Sequence, residues 1–119
     1  MNWFLAKIIY RIIVGDKDLP AQFEEQLRLI SAVDQAGAVA KATALGIKEA
    51  FGFFDDGQQL VAWKFIAVSE VVSISEFTDG AEVNSILHEI LHPASYLSLV
   101  QDKAARLPQP ASPQAHHQI

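Results

Sequence analysis

His88-Glu89-Ile90-Leu91-His92 is the stretch of this 119-residue chain whose residue types and spacing could do chemistry. Histidines at i and i+4 share one face of a helix and can both ligate zinc, while the glutamate acts as general base. A hydrolase of that kind takes three protein ligands and leaves a fourth position to water. The third ligand is missing here. One zincin pattern needs glycine where Ser95 stands and histidine where Ser98 stands, and the other needs a downstream glutamate, yet none follows Glu89. Asp102, His116 and His117 are what remain. Pro93 follows His92 directly, at a point where a zincin helix continues.

The surrounding periodicity argues the same way. Val83, Ile86, Leu87, Ile90 and Leu91 recur at helical spacing and predict a helix over 80–92. At about 100° per residue, that apolar face centres nearly opposite the midpoint of His88 and His92. The histidines are therefore expected at solvent, as the polar face of an amphipathic helix. A zinc hydrolase built on His88, Glu89 and His92 is kept as the alternative. The leading expectation is no catalytic residue, no cofactor and no metal.

Other constellations are weaker still. Asp55-Asp56-Gly57 could open a metal loop, but no EF-hand spacing follows, and Asp-Gly is an ordinary hairpin turn. There is no G-x-G-x-x-G, no G-x-x-x-x-G-K-[ST] and no G-x-S-x-G. Lys7, Arg11, Arg28, Lys64, Glu25 and Glu70 could share one sheet face, where cross-strand charge pairing accounts for them. The chain has no cysteine, so disulfides, thiolate metal sites and a thiol nucleophile are excluded. Nine Lys and Arg against fourteen Asp and Glu give a net charge of −5, the wrong sign for a phosphate-binding surface. Half the residues are hydrophobic and mean hydropathy is +0.18, as in a folded domain rather than a disordered chain.

The elements that would position these residues follow from alternation and punctuation. Residues 3–14 alternate. Phe4, Ala6, Ile8, Tyr10, Ile12 and Val14 form an apolar face, and Trp3, Leu5, Lys7, Ile9, Arg11 and Ile13 a mixed one. That pattern predicts a long strand. Its internal charges and short apolar run do not suit a secretory signal or a membrane span, so a cytoplasmic location is expected. Residues 21–33 fit either a helix, which intrinsic propensity favours, or a strand. A short loop at 15–20 would let a second strand pair with the first, and this favours strand. Asp34 should cap an alanine-rich helix over 34–46, with Gly46 as its C′ residue or one further turn before Phe51. Phe51–Phe54 and 58–68 read as a hairpin, its second strand central and extended to Ile74, with a possible kink at Ser69-Glu70. Pro93 should stop the 80–92 helix. Ser95 should cap a further one ending near Leu107, with Tyr96, Leu99 and Val100 inward. Residues 108–119, rich in proline and glutamine, read as a disordered tail. The expected fold is one α+β domain over 1–107. It is an antiparallel sheet of about four strands in the order ββαββαα, with helices on one face. Trp63 should be largely buried.

Several stretches carry a resemblance. They are Trp3-Phe4-Leu5-Ala6-Lys7-Ile8, the run Phe23 to Ala32, Lys41-Ala42 with Leu45-Gly46, the run Trp63 to Val68, and Asp79-Gly80-Ala81-Glu82. In this order the chain resembles an uncharacterised bacterial domain-of-unknown-function family, DUF family 4288, over roughly 3–107. The resemblance implies a strand through the Leu29-Ile30-Ser31-Ala32 segment leading into the alanine-rich helix. It brings no established activity and no catalytic residues. The 88–92 stretch and the 108–119 tail lie outside the family's pattern.

The leading reading is a non-enzymatic domain acting through protein–protein contact. It would be a homodimer or an accessory, immunity-like module, with no nucleic acid and no membrane among its partners. The alternatives are the zinc hydrolase and a small-ligand sensor with a pocket between sheet and helices, lined by Trp63 and aromatic neighbours.

Overall fold

Strict alternation along the N-terminal segment does produce a strand. The computed structural model describes residues 1–15 and 20–110, and its first element is β1, Asn2–Val14. Phe4, Ala6, Ile8 and Tyr10 are buried on one face, as the pattern predicts. β2 (Gln22–Ala32) pairs with it antiparallel, Phe4 opposite Ile30 and Arg11 opposite Phe23. Helix propensity over Gln22–Leu29 thus gives way to pairing, because a strand here satisfies the backbone of β1 along its length.

Helix α1 (Gln35–Glu49) follows, and the Asp34 side chain accepts a bond from the Gly37 amide at 2.8 Å. β3 (Phe51–Phe54) and β4 (Leu60–Ile74) form the hairpin, and helix α2 (Pro93–Ala105) closes the described chain. Among the described residues the antiparallel sheet has four strands in the order β2-β1-β4-β3, so β4 is central. The fold is α+β. Ser69 and Ile66 are extra residues in β4 relative to β1, where the register shifts twice. Such bulges bend and twist a strand, and Ser69 supplies the kink that the sequence suggested. Two compact units divide the chain. Met1–Ser85 holds the sheet and α1, and Ile86–Ile119 holds α2.

In the first unit α1 lies very close to the sheet. Ala38, Ala42 and Gly46, one stripe at i, i+4 and i+8, are its buried residues. Ala38 and Ala42 pack with Phe4, Ala6, Ile30 and Ala32, flanked by Leu45, Val68 and Val71. Of the two helix ends the sequence offered, the structure takes the later one, three residues past Gly46 and before Phe51. A Cβ at Gly46 would sit 2.5 Å and 2.7 Å from ring atoms of Phe65 and 3.1 Å from Ile8 Cγ2. This glycine serves close approach rather than termination. Its carbonyl, among the last four of the helix and left without a helical partner, accepts the Tyr10 hydroxyl at 2.7 Å. Burial holds the Tyr10 phenol above its ordinary pKa, so it stays a neutral donor.

Three expectations are corrected. No helix forms over 80–92: residues 81–90 have no regular secondary structure, and Leu87 and Leu91 are 97% and 92% exposed. A thirteen-residue amphipathic stretch has little helical stability without a surface to pack on, and Pro93 disfavours helical backbone at His92. The order is therefore ββαββα. Pro93 starts α2 rather than stopping a helix, with His92 instead of Ser95 at the N-cap, and α2 itself has no buried residue. The Asp-Gly hairpin forms, with Gln58 in the left-handed region (φ 62°). Asp55 Oδ1 organises that loop by accepting from the Gly57 and Gln59 amides. Trp63 is half-buried, its ring stacked on Phe51 at 4.9 Å. The expected disordered tail lies largely outside the described residues.

Replacing Gly46 by alanine should test the close seat of α1. Helix propensity alone would favour the change by about 1 kcal/mol. Overpacking against Phe65 and Ile8 should outweigh it, for a net loss of about 1–2 kcal/mol in urea denaturation. A variant as stable as the wild type would show that α1 does not lie this close.

Candidate functional site

The H-E-x-x-H stretch does not assemble. His88 and Glu89 lie in the irregular segment and His92 at the N-cap of α2, and all three are exposed. Without a continuous helix, i and i+4 no longer bring the two imidazoles to one face. The His88 ring lies beside Tyr96, with ring centroids 6.1 Å apart. Among the described residues no three His, Asp or Glu side chains come together as a metal-holding group. His116 and His117 lie outside the described residues.

The second face of the sheet is a different kind of candidate. α1 packs on the even-numbered side of β1, so Trp3, Leu5, Lys7, Ile9, Arg11 and Ile13 point the other way. Register puts Leu29 opposite Leu5, Leu27 opposite Lys7 and Phe23 opposite Arg11 on β2. Phe23, Leu27 and Leu29 are 56%, 58% and 57% exposed, and Trp3 is 45% exposed with its ring edge-on to Phe77 at 6.2 Å. The apolar residues of β2 are thus turned away from the core. Its even positions Glu24, Gln26 and Arg28 are on the side of α1, where Gln26 accepts from Arg28 and donates to Glu24.

The charges on this second face are paired across strands. Lys7 Nζ lies 2.9 Å from a Glu70 oxygen on β4 and 3.3 Å from a Glu25 oxygen on β2, with its side chain only 17% exposed. Bonding to Glu70, then to Glu25, raises the Lys7 pKa above its ordinary value. A lysine acting as base or Schiff-base nucleophile needs the opposite shift, so Lys7 works as a fixed cation. The Arg11 guanidinium lies over the Phe23 ring, 5.7 Å from its centroid, and Lys64 stands opposite Arg11 on β4.

Five of the six charged residues expected to share a face do so. Arg28 does not. It projects to the side of α1 and makes a two-pronged bond to Glu49, at 3.0 and 3.1 Å. What sequence reasoning missed is that the apolar positions of β2 would be left uncovered. The signal was present, because Ile30 and Ala32 share parity with Glu24, Gln26 and Arg28 rather than with Leu27 and Leu29.

A one-helix, four-stranded α+β layer with a paired-charge, largely apolar second face defines a surface rather than a cleft. The chain belongs to the family described as a domain of unknown function (DUF4288), whose pattern matches residues 3–85. That span coincides closely with the unit Met1–Ser85. No curated protein and no solved structure gives a significant match.

The Arg28–Glu49 bond gives a pH test. Bonding to Arg28 holds the Glu49 carboxyl below its ordinary pKa. A lowered folded-state pKa contributes stability above the unfolded value, and the contribution is lost as pH falls through the folded one. Wild type should melt above Glu49→Gln at neutral pH, and the two curves should converge below the ordinary carboxylate range of about 4. A gap that persists in acid would show that the bond is not the cause.

Proposed function

We propose that this is a non-enzymatic domain that acts through protein–protein contact, as a homodimer or as an accessory, immunity-like module. The observation that supports it is the second sheet face. Phe23, Leu27, Leu29 and Trp3 are all 45% or more exposed on one side of a layer whose other side holds the core. Exposed large apolar residues gathered on one face of a folded domain mark an interaction site. Chemistry has less to stand on, since the H-E-x-x-H residues are dispersed and Lys7 is held as a cation.

The excess of acidic residues argues against a nucleic-acid partner. Among the described residues no helix is long and apolar enough to cross a membrane.

Crosslinking in the native host tests this reading. Wild type should be captured in a discrete protein complex. Leu27→Lys with Leu29→Lys should abolish capture while the folded chain persists, because both side chains are more than half exposed. His88→Ala with His92→Ala should leave capture intact. Absence of any complex, or capture that ignores Leu27 and Leu29, would contradict the reading.

A further inference from the structure

We propose that the partner of the second sheet face is a second copy of this chain, packed face to face so that two sheets enclose the apolar residues of both. This rests on the protein-contact reading above and adds the identity of the partner. Two observations carry it.

The first is size. Strands of 13, 11, 4 and 15 residues, rising about 3.3 Å per residue at about 4.8 Å spacing, present a face of about 680 Å². That approaches the ~800 Å² per partner of a standard stable interface. Aligned sheets pack about 10 Å apart with interdigitating side chains.

The second is charge. The chain carries a net charge of −5, so two copies repel each other through most of their surfaces. The sheet positions of the second face differ. Lys7, Arg11 and Lys64 stand against Glu25 and Glu70, one positive charge in excess, with Lys7 already neutralised between its two glutamates. Two such faces meet without the acidic excess of the rest of the chain. A strongly acidic or strongly basic partner finds no matching field there. An isologous contact, in which each patch meets its own copy, needs just such a balanced, apolar surface.

Analytical ultracentrifugation of the full chain from about 1 to 100 µM decides the matter. Wild type should sediment at twice the 13.1 kDa chain mass. Leu27→Glu with Leu29→Glu should weaken self-association roughly a hundredfold or more, as loss of central apolar contacts does. Its circular dichroism should stay unchanged, and its melting should lose the concentration dependence that dimerisation gives the wild type. Ile47→Glu, an equally exposed apolar position on α1, should leave the dimer intact. A single 13.1 kDa species throughout overturns the inference, as does a dimer broken by Ile47→Glu and not by the Leu27 and Leu29 changes. If the pure chain stays monomeric while native crosslinking captures a different protein through Leu27 and Leu29, the contact reading stands and the second-copy inference falls. If the face dimerises in vitro but the native complex ignores Leu27 and Leu29, the second copy stands and the contact reading falls.

Discussion

The close seat of α1 on β1 sets the rest of the first unit. Ala38, Ala42 and Gly46 form a stripe so slim that the helix lies against Ile8 and Phe65, where a methyl group at Gly46 would not fit. That proximity lets the Tyr10 hydroxyl reach the Gly46 carbonyl, tying the C-terminal end of the helix to the middle of the sheet. It also assigns the even-numbered face of β1 to the core. Alternation then leaves the odd-numbered face without a helix of the first unit, since α1 covers one side of the four-stranded layer.

Much of this was legible in the sequence because it rests on local rules. The period of two through β1, Asp34 at the helix start and the Asp-Gly hairpin each follow from backbone chemistry within a few residues. β2 was legible only with topology added, since propensity alone favours helix there. What could not be read locally was set by packing. Gly46 looks like a helix terminator until Phe65 is seen beside it. The polar positions Glu24, Gln26 and Arg28 look like the solvent face of β2. They instead flank α1, because Ile30 and Ala32 of the same parity enter its core and Arg28 reaches Glu49 at its end.

The H-E-x-x-H stretch shows the same dependence on context at the level of function. Its chemistry requires helical phase, and residues 81–90 do not adopt it. The amphipathic pattern around it describes a helix that would form against a surface, and a helix of that length has little stability by itself. The candidate site lies instead on the face of the first strand where the sequence mixes charges with apolar residues. Lys7, Glu25 and Glu70 pair as expected, and the apolar residues around them give that face its character.

Isotope-filtered NOE spectroscopy on an equal mixture of methyl-labelled and unlabelled chain bears most directly on whether the second sheet face meets its own copy. Cross-peaks are expected from the Leu27 and Leu29 methyls of one copy to the Trp3 and Phe23 rings of the other. Intermolecular cross-peaks confined to α1 or β3, or none at concentrations where the chain is abundant, would contradict it.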